Sequence, residues 1–272
     1  MHDGANGPRD RATIVASCVA IAQRRGRRPR AARLARAGRL LLRPPAPRRA
    51  DISLNTVAEG DDIGSTGNLD APQFAWLRRE LDAAQQRDEL IFVFGHHSIG
   101  SLNNAKPNEN AGDCAAKAIL TGPGCDLDPR SSKPLAGGAD LRALLLDHPH
   151  VVAYVAGHTH EHRVTAVPRA SGSGGFWAIE TSSENDWPIQ SRLLELMDNR
   201  DGTLSIFGTI VDHGASLVTP APGSPASGFD RETLPSLERE FSFNDPQVGA
   251  EAKAEGRLVD RNVELLLPDP RR

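Results

Sequence analysis

Leu90-Ile91-Phe92-Val93-Phe94-Gly95-His96-His97 decides how this chain is read: five apolar residues in a row, then a glycine, then two imidazoles. A run this short, with aromatic and β-branched members and a glycine to close it, predicts a buried strand that delivers His96 at its carboxyl end. The pattern returns roughly sixty residues later. Val151 to Val155 reads as a second buried strand, ending at Ala156-Gly157, and His158-Thr159-His160 follow at once. Two strand ends loaded with histidine in this way point to a metal centre, because neutral imidazole is a good ligand for Zn, Fe and Mn and a strand end holds it rigidly.

Outward from these runs the chain alternates strand and helix. Ile52 to Val57 predicts a buried strand, and Gly60 to Asn68 a loop rich in Gly, Asp and Ser. Asp70 offers an N-cap and Pro72 a first-turn residue. Phe74, Leu77, Leu81 and Ala84 then fall at helical spacing, so the helix spans roughly 71 to 86. Residues 100 to 138 show no sustained periodicity and read as an insertion loop over the site. Ala139 to Leu146 is a short helix and Phe176 to Thr181 a strand. Arg192 to Met197 and Thr203 to Val211 flank the hairpin signal Asn199-Arg200-Asp201-Gly202. Beyond Ala215 a Pro/Gly/Ser stretch runs to Gly228, before a helix at Arg231 to Phe241 and a strand at Val263 to Leu267.

Charge divides the sequence in two. Residues 1–50 hold 13 Arg against two Asp, a balance of +11, whereas the other 222 residues carry 19 basic and 33 acidic side chains, or −14. The first segment, rich in Arg, Ala and Pro, reads as a disordered or non-native leader, and its abrupt join at about Asp51 suggests a misread gene start. An Arg-rich arm would also suit nucleic acid, but the acidic body opposes that association. No apolar stretch reaches the eighteen or so residues of a membrane span. Thr13 to Ala22 precede the arginines, the reverse of a secretory signal, so a cytoplasmic location is the expectation, with export open should a longer N-terminus precede this one. Cys18, Cys114 and Cys125 show no zinc spacing. Cys114 and Cys125 suit either a loop-closing disulfide or reduced thiols.

The two histidine motifs, with the phrase Gln73-Phe74-Ala75-Trp76-Leu77 ahead of them, resemble the carboxyl-terminal half of the calcineurin-like metallophosphoesterases. The resemblance spans residues 51 to 213, with 214 to 272 as an extension. It implies a truncated α/β/β/α four-layer sandwich with the site at the strand carboxyl ends. His96 and His158 would then be ligands of one metal and His160 of another, among Mn, Fe or Zn, acting on a phosphate-ester substrate. His97 would contact the phosphate or serve as an acid, or else pack behind its neighbour. The intact family uses two ions, which neutralise charge on the phosphoryl oxygens and activate water for in-line attack.

The family's amino-terminal ligands have no counterpart: upstream of Gly95 there is no Asp-x-His, no Gly-Asp-x-x-Asp and no Gly-Asn-His. Asp51, Asp61, Asp62 and Asn68 sit in none of these motifs and are expected to be structural or at the surface. Without a bridging carboxylate, two adjacent cations repel, so one metal or none is expected here, with little turnover. A noncatalytic remnant serving as a binding module is the alternative. Glu180, Asp186, Trp187 and His213 are expected near the site at most, His162 is expected to be exposed, and His148 and His150 lack ligand-like partners.

Overall fold

The computed structural model describes residues 10–16, 48–57, 67–104, 135–170, 174–214, 233–246 and 253–272. Cys18, Cys114 and Cys125, Asp61 and Asp62, most of the expected leader and insertion loop, and the 215–228 stretch lie outside the described residues.

Two stacked sheets carry the architecture. The first has the order β2 (Arg49–Ser53), β4 (Leu90–Phe94), β6 (Val151–Ala156), β8 (Gly175–Glu180), β7 (Arg163–Pro168). Its first four strands are parallel and β7 closes the edge antiparallel to β8. The second sheet is antiparallel throughout: β1 (Asp10–Ala16), β9 (Gln190–Asp198), β10 (Thr203–Asp212) and β11 (Val263–Pro268). A two-residue pair, β3 (Leu69–Asp70) with β5 (Leu135–Ala136), fastens the start of the first helix.

Period-two alternation, interrupted once where the register between β4 and β6 shifts, sorts the side chains between two cores. Leu90 and Phe92 of β4, Val152 and Val155 of β6 and Ile179 of β8 face the second sheet, where they meet Leu194, Leu196, Leu204, Ile206, Leu265 and Leu267. Ile91, Val93, Tyr154 and Phe176 face the other way, onto α1 (Ala71–Gln86) and α2 (Gly138–Leu146) through Leu77, Leu81, Leu141, Leu144 and Leu145. Each leucine fully buried in this way contributes about 2 kcal/mol of transfer free energy. The central strands are buried on both faces, which is why they read as unbroken apolar runs.

The α/β class and the stacked-sheet plan are as expected, and three of the four layers are described. α3 (Thr233–Asn244) does not supply the fourth. It meets Asp212 through Arg239, Asn185 through Ser242 and Trp187 through Phe243. α1 has the expected limits, with Asp70 Oδ1 accepting from the Gln73 amide at 2.7 Å. The first strand of the parallel sheet begins earlier than expected, because the ladder to β4 runs from Arg49 opposite Leu90, so the boundary at residue 50 falls inside β2. Asp10–Ala16, within the expected leader, pairs with β9 along its whole length. No described helix is long and apolar enough to cross a membrane.

Candidate metal centre

Adjacent parallel strands end at the same edge of a sheet, and in open α/β sheets that edge is where ligands bind. β4 and β6 are such neighbours, and the turns after them carry the two histidine motifs. The ladder continues past both strand ends: the Gly95 amide donates to Val155 O and the Gly157 amide to His96 O, each at 3.0 Å. The backbone of one turn is therefore fixed against the other before any side chain is considered.

His97 is held from three sides and is only 3% exposed. The Thr56 hydroxyl lies 2.8 Å from its Nδ1 and accepts from its amide at 3.1 Å, while the Tyr154 hydroxyl donates to its carbonyl at 2.6 Å. Two glycines make these approaches possible. A Cβ at Gly95 would stand 2.6 Å from the Tyr154 hydroxyl, and one at Gly67 would stand 2.6 Å from the His97 ring and 2.4 Å from Thr56 O. Gly67→Ala is therefore expected to displace the ring of His97 and lower metal affinity about tenfold or more, the range seen when an orienting contact is lost. Metal titration of the folded variant checks it, and unchanged affinity would show that His97 has no part in binding.

The second motif sits in unusual backbone. His158 and His160 have φ of 68° and 54°, a left-handed conformation that costs an L-residue about 1 to 2 kcal/mol. Side-chain ties hold the loop there: the Thr159 hydroxyl donates to Glu180 Oε2 at 2.9 Å, and His160 Nδ1 pairs with Asp186 Oδ2 at 2.7 Å. Behind the loop His162 is wholly buried against Ser182, Gln190 and the Ala254 carbonyl, not exposed as expected. Its burial depends on residues distant in sequence.

Three imidazoles converge at this edge. One ligand atom from each of His96, His97 and His158 lies within 4.8 Å of the others. His158 Nδ1 and His96 Nε2 are 3.3 Å apart, and the His97 and His158 rings stand 4.4 Å centroid to centroid. Burial, and then the neighbouring imidazoles, press the pKa of His158 down to about 4 and that of His96 below its ordinary value. Both rings are thereby kept neutral near pH 7, the form in which imidazole binds metal.

The convergent set differs from the expected one. His96 and His158 are in it, His97 joins them, and His160 stands outside, turned to Asp186. Among the described residues no carboxylate enters the group. Asp51 pairs with Arg49 on its own strand. Asn68 is buried, its side chain donating to Asn104 O at 3.4 Å. Glu180 serves the Thr159 tie, and Trp187 packs edge-on against Phe243. His148 is remote from the cluster, its two ring nitrogens facing Leu144 O and Asp82 Oδ1. His150 meets Glu89 O, and the carbonyl of His213 accepts from Arg239. Thr56, Gly67 and Tyr154, which position His97, carry no motif that a sequence reading could have found.

No protein-family model matches this chain, and no curated protein matches it. Among solved structures it is similar to a dimetal phosphatase from Danio rerio, at 15% identity over 53% of this chain and 36% of that one, with a TM-score of 0.32. The chain thus spans about a third of that structure's length, and a superposition this loose carries no argument about activity.

Proposed function

We propose that this chain holds one divalent metal ion on His96, His97 and His158 and uses it to hydrolyse a phosphate ester. The observation that carries the reading is the 3.3 Å separation of His158 Nδ1 and His96 Nε2 within a three-imidazole cluster. Ligand bonds of 2.0–2.1 Å in tetrahedral array put donor atoms roughly 3.3 to 3.4 Å apart, so this pair already spans one edge of such a site. A donor set of imidazoles without carboxylate favours zinc or iron over manganese. Three protein ligands also leave a coordination position open, as catalytic sites do and structural ones do not.

The phosphate-ester half of the reading rests on the paired Gly-His-His and Gly-His-Thr-His motifs at neighbouring strand ends. A bound ion would neutralise phosphoryl charge and activate water. In the reaction, water adds to phosphorus, the ester P–O bond breaks, and the alcohol leaves with a proton. The chain's own contribution is placement: Thr56 and Tyr154 fix His97, the left-handed turn fixes His158, and His160, anchored by Asp186, is a hydrogen-bond partner for the substrate beside the cluster.

Metal content and hydrolysis of bis(p-nitrophenyl) phosphate, measured together, test both halves. One zinc per chain, with slow zinc-dependent turnover, is expected. An ion bound without turnover would sink the hydrolase half and leave a noncatalytic binding module. No bound ion would sink both, and two ions with fast turnover would sink the single-metal site.

A further inference from the structure

A cavity of about 180 Å³ lies under the same two turns, on the helix-facing side of the parallel sheet. Its apolar floor includes Val167 and Ala178, and its walls carry Ser98, Thr165, Arg142 of α2 and Glu180 at the end of β8. Two charges of opposite sign therefore face one small space. No ion pair joins them among the described residues, and Arg142 is exposed, so its guanidinium meets water at the mouth of the cavity. Glu180 is largely buried. Its Oε2 accepts from Thr159, but its Oε1 has only the Arg163 guanidinium, at 3.8 Å, beyond hydrogen-bond reach. Oε1 is not shut off from water, so its remaining lone pairs can take a donor from a ligand in the cavity.

The geometry points to a second binding site, in which this cavity takes a small zwitterion, its acid group on Arg142, its ammonium on Glu180 Oε1 and its aliphatic body on the floor between. The inference stands apart from the metal reading, because none of the three converging imidazoles lines the cavity. Each end of the ligand would make a charge-assisted hydrogen bond, so losing either should weaken binding about tenfold or more.

The test uses the metal-free full chain with 5-aminopentanoate, pentylamine and pentanoate, titrated by calorimetry or saturation-transfer NMR. The zwitterion is expected to bind at least about tenfold more tightly than either singly charged analogue. Arg142→Ala should erase its advantage over pentylamine, and Glu180→Gln its advantage over pentanoate. Ala178→Leu, which fills the floor and leaves both charges in place, should abolish binding of all three. Equal binding of the three probes, no binding at all, or a ranking untouched by the charge variants would overturn the site. Circular dichroism confirms that each variant is folded, and the filling variant keeps the test valid should Glu180→Gln disturb the Thr159 loop.

Discussion

His97→Ala is expected to lower zinc affinity by more than about a hundredfold, while His160→Ala leaves it within a few-fold of the parent. Replacing a residue that merely orients a ligand already costs 10 to 100-fold in metal sites, so deleting a donor atom from a set of three must cost more. His97 belongs to the convergent trio, whereas His160 is committed to Asp186 at 2.7 Å. Because His97 is buried and tied to Thr56, its truncation also opens a cavity. His97→Asn, which keeps a polar partner for the Thr56 hydroxyl, therefore accompanies it, and competition against a chromophoric chelator on folded protein supplies the readout. The opposite ranking, with His160 essential and His97 dispensable, would restore the ligand set that the Gly-His-x-His resemblance implies. It would also mean that the loop turns over when an ion arrives.

What could be read from the sequence follows from what burial does to composition. β4 and β6 are covered on both faces and so leave continuous apolar runs, and α1 announces itself through Asp70, Pro72 and its leucine spacing. β7 left no such trace, because Arg163–Pro168 is an edge strand with one buried residue, Val167. β3 and β5 are too short for any periodicity to show. The parallel pairing of β4 with β6 brings the two histidine turns together, and the two apolar runs implied as much. Which rings would meet was a different matter. The i, i+2 spacing places His158 and His160 on one turn but does not fix the turn's handedness, and the left-handed φ at both positions sends them to different partners. His162 shows the same limit from the other side. Nothing local distinguishes it from its neighbours, and only Ser182, Gln190 and Ala254, brought in by the next strands and the distal chain, make it a core residue.

That buried ring should make the metal-free protein sensitive to mild acid, with a loss on the order of 3 kcal/mol between pH 6.5 and about 4. The Ser182 amide donates to His162 Nδ1 at 3.3 Å, so Nδ1 carries a lone pair and the ring proton sits on Nε2, facing Gln190 Oε1 at 3.3 Å. A second proton would set two donors against each other. Burial first, and then the guanidinium of Arg192, hold the folded pKa down to about 4. In the unfolded chain the ring titrates near 6.5. Below that pH the unfolded state gains a proton that the folded state refuses, so stability is intact above 6.5, falls as the pH drops, and levels off once the folded ring is also protonated near 4. Urea denaturation at pH 7, 5.5 and 4.5 measures the slope, and His162→Gln, with no proton to gain, should remove its share of it and leave the part contributed by His158, which is also held down to about 4. Arg192 offers a second handle. It is itself fully buried, with Nε and Nη1 lacking partners among the described residues, and it sits where its charge opposes that of a protonated His162. Arg192→Met removes that opposition, lets the folded pKa climb back toward 6.5, and is expected to shrink the acid loss while leaving its direction unchanged. A steeper acid loss in Arg192→Met than in the parent would show that the guanidinium stabilises the protonated ring instead of excluding it.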